Sequence, residues 1–190
     1  MNKRISLTEQ AHKIILQQLK PGDIAIDATV GNGHDTLFLA QQVGCKGKVF
    51  GFDIQQQAID STQEKLNNES KFNHIELFQT SHSNLAQYIP AKYHGNINVF
   101  MFNLGYLPGS DKSIITQTES TLSALNQAID LLAQPGLITI AAYPGHSGGD
   151  SENDVIKKWH KQLPADQFNT QTIYSSEKKT APRLYIIHKK

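Results

Sequence analysis

The chain has 190 residues, a formal net charge of +1 and one cysteine, Cys45. That length suits one domain with a sizeable core. The single cysteine excludes an intramolecular disulfide, and the near-neutral charge by itself calls for neither nucleic acid nor a membrane. No run approaches the roughly 18 apolar residues that span a bilayer, and Met-Asn-Lys-Arg opens no signal peptide, so a cytoplasmic protein is expected.

Ala11, Ile14, Ile15 and Leu19 recur at helical spacing, so Leu7 to Leu19 reads as an amphipathic helix capped by Thr8 and ended by Pro21-Gly22. Ile24 to Ala28 is small or β-branched, as suits a strand covered on both faces. Gly31-Asn-Gly33 then turns the chain, and Asp35 and Thr36 offer capping oxygens to a helix reaching about Val43. Cys45 sits in the Gly44–Gly47 turn as a small filler. Lys48 to Asp53 is a second strand, Gln55 to about Asn68 a helix, Ile75 to Phe78 a third strand, and about Asn84 to Tyr88 a short helix. Ile97 to Asn103 is a fourth strand and Thr118 to Leu132 a helix broken by Pro135-Gly136. Leu137 to Ala142 is a fifth strand, and Ser151 to about Leu163 a helix that takes Trp159 into the core. Phe168 to Tyr174 and Leu184 to His188 close the chain as a hairpin.

Strands alternate with helices and two strands come in succession at the end. The expected class is a doubly wound α/β fold, a mostly parallel sheet with an antiparallel edge strand, in one domain over residues 1–190.

A strand that ends in a glycine turn at the carboxyl edge of such a sheet is a common place for a nucleotide-like cofactor. Gly31-Asn-Gly-His-Asp35 lacks the third glycine of the dinucleotide fingerprint and suits a ligand without a pyrophosphate. Asp53 ends the second strand about 20 residues past the turn, where an acid accepts ribose hydroxyls. S-adenosylmethionine (SAM) and NAD both need that acid. Asp27, near the end of the first strand, favours SAM: it meets the methionine ammonium or braces the turn. Ser81 and His82 follow the third strand, where an adenine edge would lie, although a surface loop explains His82 equally well. No cluster of Cys and His suggests a metal.

Asn103-Leu-Gly-Tyr106 follows the fourth strand and resembles the Asn/Asp-Pro-Pro-Tyr motif of amino-group methyltransferases, with Leu104 and Gly105 in place of the prolines. Transfer to nitrogen needs a lone pair aimed at the sulfonium carbon, and an Asn oxygen can hold the amine by its N–H bonds. Tyr106 either stacks on a base or packs. Tyr143, Asp111 or His146 assists if the amine must first lose a proton. From Val155 onward, Lys157, Lys158, Lys161, Lys178, Lys179, Arg183, Lys189 and Lys190 face only Asp166 and Glu177. That basic stretch suits phosphates or is an ordinary solvated surface.

Asp27-Ala-Thr-Val-Gly-Asn-Gly-His-Asp-Thr36, Asn103 through Lys112, Tyr143-Pro-Gly-His-Ser-Gly-Gly149 and Ala181-Pro-Arg-Leu-Tyr-Ile-Ile187 together resemble a bacterial methyltransferase family first described as rRNA methylases. Its characterised members methylate the aminomethyl group of 5-aminomethyl-(2-thio)uridine at the tRNA wobble position. The resemblance covers essentially the whole chain and implies a Rossmann-like, class I SAM-dependent fold. It implies SAM around Asp27, Thr29, Gly31, Asn32, Gly33, His34, Asp35 and Thr36, with Asp53 and Gln55 at the ribose, Ser81 and His82 at the adenosine end, and Asn103 beside the cofactor. Asn103, Tyr106, Tyr143 and His146 are the expected catalytic residues. Leu104, Gly105, Tyr106, Asp111, Lys112, Pro144, Gly145, His146, Lys178, Lys179 and Arg183 are the expected contacts to the tRNA substrate. The resemblance is also compatible with a homodimer.

Overall fold

The computed structural model describes residues 5–67, 72–105, 116–144, 149–178 and 180–190. Its strands are β1 (Ile24–Asp27), β2 (Lys48–Asp53), β3 (Ile75–Gln79), β4 (Ile97–Leu104), β5 (Leu132–Ala142), β6 (Phe168–Tyr174) and β7 (Arg183–Lys189). Its helices are α1 (Leu7–Gln18), α2 (His34–Val43), α3 (Gln56–Asn67), α4 (Leu85–Tyr88), α5 (Thr118–Leu131) and α6 (Gly149–Gln162). The strands form one sheet in the order β3-β2-β1-β4-β5-β7-β6. The first five are parallel, and β7 runs antiparallel to both β5 and β6.

Each central strand is apolar on both sides because both faces are covered. On β4, Val99 and Met101 join Leu7, Ala11, Ile15, Leu39 and Val43 beneath α1 and α2. The alternate residues, Phe100 and Phe102, join Leu125, Ala128, Ile156 and Trp159 beneath α5 and α6. Trp159 is in the core as expected, and its Nε1 donates to Asn126 Oδ1 at 2.9 Å. Among the described residues no helix is long and apolar enough to cross a membrane.

Several local readings are corrected. Ser6, not Thr8, caps α1: its Oγ accepts from Glu9 N at 3.1 Å, and Glu9 Oε2 accepts from Ser6 N at 2.7 Å. α2 has Gly33 at its N-cap and no side-chain cap, because Asp35 and Thr36 bond elsewhere. Pro135-Gly136 does not separate a helix from a strand. α5 has ended by Leu131, β5 starts at Leu132, and the β4–β5 register slips so that Leu132 pairs with Ile97 and Leu137 with Val99. A bulge of that kind accommodates a proline that lacks an N–H. The short fourth helix is present as α4, and a 3₁₀ turn over His82–Asn84 leads into it. Cys45 is exposed and fills nothing.

Candidate active site

The chain runs outward from β1 to β3 and then returns to place β4 on the other side of β1. This reversal opens a crevice at the carboxyl ends of β1 and β4, the usual ligand position in such sheets. A cavity of about 730 Å³ lies there, within the range of small-molecule sites.

Backbone amides and carboxylates build its floor. Gly31 and Gly33 have φ of +51° and +74°, values that side chains disfavour. Gly33 is also a packing glycine, since a Cβ there would come within 2.4 Å of Thr62 Oγ1 on α3. Asp53 Oδ2 accepts from Gly31 N at 2.9 Å, and Oδ1 accepts from Gln55 N at 2.9 Å. Burial raises the Asp53 pKa, opposed by the backbone N–H groups that stabilise its charge. Lys65 Nζ on α3 donates to the Asn32 carbonyl.

Asp27 lies beneath the turn, fully buried. Its Oδ2 accepts from Thr36 Oγ1 at 2.6 Å and its Oδ1 from Thr29 N at 3.1 Å. Desolvation is the largest cause of its pKa being raised to about 7, and the neighbouring Asp35 charge adds to it. Asp27, Gly33 and Thr36 therefore shape the turn from behind and do not line the cavity. These bonds brace the turn.

The adenine-side wall holds Ser81 and His82. His82 is buried, and burial pushes its pKa down to about 4, so the ring is neutral. Its Nδ1 lies 3.3 Å from the Ala28 carbonyl, which only accepts, so Nδ1 carries the hydrogen and Nε2 is a bare acceptor. Nε2 has no partner among the described residues.

On the other side stands Asn103 at the end of β4. Its backbone N donates to Thr29 Oγ1 at 2.7 Å, its Nδ2 donates to Asp35, and its Oδ1 is buried with no partner among the described residues. Leu104, Gly105 and Tyr143 continue this wall. The Gly105 carbonyl accepts from Thr116 N at 3.0 Å. Thr116 and Thr121 hydroxyls donate to the two oxygens of Glu152 on α6, at 2.8 and 2.6 Å.

Thirteen expected residues thus line one cavity: Thr29, Gly31, Asn32, His34, Asp35, Asp53, Gln55, Ser81, His82, Asn103, Leu104, Gly105 and Tyr143. Tyr106, Asp111, Lys112, Gly145, His146 and Lys179 lie outside the described residues. Pro144 is half-buried and away from the cavity lining. Lys178 and Arg183 line a separate groove with Lys157 and Tyr174, and the Arg183 guanidinium lies 5.5 Å from the Tyr174 ring centre. Arg183 pairs with Ala142, and Asn103 with Ala141, so the groove is on the same sheet edge. Two strand spacings separate the two places, about 10 Å.

The sequence reading missed Thr8, Ile54, Thr116, Gln117 and Ser120, which also line the cavity, and His12 behind Asp35. Thr8 and His12 are four apart on the polar side of α1. That spacing put them on one helix face, but nothing local said which strand edge the face would meet.

A seven-stranded sheet of this order, with a carboxylate-held glycine turn after β1 and an Asn at the end of β4, defines a SAM-dependent methyltransferase of class I. Residues 49–189 match the family model described as "Putative rRNA methylase". The chain is 37% identical to the chloroplastic tRNA (mnm⁵s²U34)-methyltransferase of Arabidopsis thaliana, over 98% of this chain and 70% of that one. It therefore belongs to this methylase family. A solved structure from Clostridium thermocellum with the same description superposes with a TM-score of 0.91 at 38% identity, covering all of both chains. A "putative methyltransferase" from Streptococcus mutans, solved in complex with SAH, does so with a TM-score of 0.86 at 34% identity, again over all of both chains.

Proposed function

We propose that this protein methylates the aminomethyl nitrogen of 5-aminomethyl-(2-thio)uridine at the wobble position of tRNA, with SAM as donor. The observation that carries the reading is the buried Asn103 Oδ1, unpaired among the described residues, in the same cavity as the Asp53-held turn. The residues present fit SAM. Asp53 has lone pairs left beyond its two backbone bonds, His82 Nε2 is a bare buried acceptor, and the cavity is of the right size. In this reading Asn32, Asp53 and Gln55 hold the ribose side, and Ser81 and His82 hold adenine, with Nε2 accepting from its amino group. SAM supplies a sulfonium-bound methyl group, an electrophile for a free amine lone pair.

The chain's own groups do the positioning. Asn103 Oδ1 accepts one amine N–H and turns the lone pair toward the donor. Methylation of the neutral amine leaves one proton in excess, and its loss gives a neutral secondary amine. Tyr143 at the cavity mouth, with Tyr106 and His146, is assigned to the uridine and its proton. Leu104 and Gly105 form the wall the base rests on. Lys178 and Arg183, together with Asp111, Lys112, Pro144, Gly145 and Lys179, are assigned to the anticodon arm. The name of the Arabidopsis relative supports tRNA as the substrate.

The test is incubation with SAM and tRNA carrying 5-aminomethyluridine, followed by nucleoside mass spectrometry. The expected product is the methylaminomethyl nucleoside, and a deletion strain should accumulate the aminomethyl precursor. SAM binding without this product would turn the assignment toward rRNA or a small-molecule amine.

A further inference from the structure

The Asn103 amide has two ends of opposite chemistry, and only one orientation fits its surroundings. Asp35 as a carboxylate has acceptors alone, so the amide end that meets it must be Nδ2. Rotating the amide by 180° would set two acceptors against each other and turn the N–H bonds into the cavity. The other Asp35 oxygen, Oδ1, lies 2.6 Å from His12 Nε2. That oxygen cannot donate either, so Nε2 carries the hydrogen. The imidazole is itself fixed, lying flat on Phe38 with ring centres 3.7 Å apart and planes 9° from parallel. Three elements thus meet in one chain of bonds: His12 from α1, Asp35 from α2 and Asn103 from β4.

We propose that His12 and Asp35 are positioning residues that lock the Asn103 amide with Oδ1 toward the acceptor amine. This rests on the reading that Asn103 holds that amine. The lock matters because a flipped amide would donate an N–H into the lone pair that has to attack carbon. The nucleophile would then be tied up where it should be steered. The lock also moves Asp35 from the cofactor, where the sequence reading put it, to the acceptor side of the site.

The test is turnover at saturating SAM with tRNA bearing 5-aminomethyluridine, in single and paired variants. Asp35→Ala should lower kcat about 100-fold, as Asn103→Ala should, because each removes one preorganised contact to the reacting group. In the Asn103→Ala background, Asp35→Ala should cost nothing further, since residues acting as one unit are not additive. His12→Phe, which keeps the stacking surface, should lower kcat about tenfold. His12→Gln, whose amide still donates to the carboxylate, should restore most of it. Affinity for SAM, by calorimetry, should stay within about threefold throughout, because only transition-state positioning is removed.

Full multiplication of the Asp35→Ala and Asn103→Ala effects would overturn the positioning role while leaving the amine-holding role intact. So would His12→Gln falling as far as His12→Phe. A second measurement needs no substrate. The Asn103 side-chain amide hydrogens, followed by NMR, should exchange more slowly than those of an exposed asparagine and lose that protection in His12→Phe. Rapid exchange in the wild-type protein overturns the lock whatever the enzyme methylates. Full turnover by Asn103→Ala, with the amide protected, overturns the amine-holding role and the proposal with it.

Discussion

At the ends of β1 and β2, Asp27 and Asp53 direct their carboxylates to Thr36, Thr29, Gly31 and Gln55, whereas at the end of β4 Asn103 keeps one buried amide oxygen with no partner among the described residues. The first region is braced by bonds internal to the protein. The second is braced on one side, through Asp35, and left open on the other. A cofactor used in every turnover gains from a floor that is already ordered. An acceptor that must enter, react and leave gains from a wall whose unmet hydrogen bond is met only when it arrives.

The largest effect should come from the most deeply braced group. In an unfolded chain Asp27 ionises near its ordinary value of 3.8, and in the fold at about 7. Between those values the folded state binds more protons, so this group's contribution to stability is complete below 3.8 and is lost as pH rises toward 7. Asp27→Asn keeps the shape without the charge. Its stability advantage over the wild type should grow across that window to at most about 4 kcal/mol. Urea unfolding at pH 4 and pH 8 measures it, and parallel pH profiles would remove the charge from the account.

Next in size is Asn103→Ala. It should reduce turnover about 100-fold, near 3 kcal/mol, with little change in SAM affinity. Equal losses in both would erase the distinction between the two regions. Asp53→Ala should do the reverse. SAM affinity falls by about 2 kcal/mol, the worth of charge-assisted hydrogen bonds, while turnover at saturating SAM holds. Calorimetry decides it, and an unchanged affinity would sink the ribose assignment. Smallest are Lys157→Ala and Lys178→Ala on the basic groove. Each should weaken tRNA binding a few-fold and flatten the logarithmic salt slope by about 0.7–0.9. Unaltered slopes would return the groove to ordinary surface.

The cofactor region was the more legible in the sequence, for a physical reason. The glycine turn follows β1 directly, and Asp53 ends the adjacent strand β2, so register alone brings them together. Each strand announced itself by apolar runs or alternation, and the order of elements gave the sheet. Asn103 could be found the same way, by its place at a strand end. His12 could not, because its meaning depends on where α1 packs, which is set by tertiary contacts far from its own neighbours. Asp35 was misread as a cap because local sequence favours that use. The contacts that claimed it come from residues 23 and 68 positions away. The bulge at Pro135 escaped for a similar reason: a proline reads as a break, and only pairing with β4 shows that the strand begins before it.

The placing of β7 has a consequence for how the molecule is made. β7 follows β6 in the chain yet lies between β5 and β6, with its first five residues buried. As the chain leaves the ribosome, β6 emerges before the strand that joins it to the sheet. Until Arg183–Lys189 have cleared the exit tunnel, β5 presents an apolar strand with one open edge, and β6 has nothing to pair with. An open edge of that kind recruits other chains. The nascent protein therefore passes through an interval in which its sheet can be completed only by residues that have yet to emerge, and in that interval the open edge is exposed to other chains.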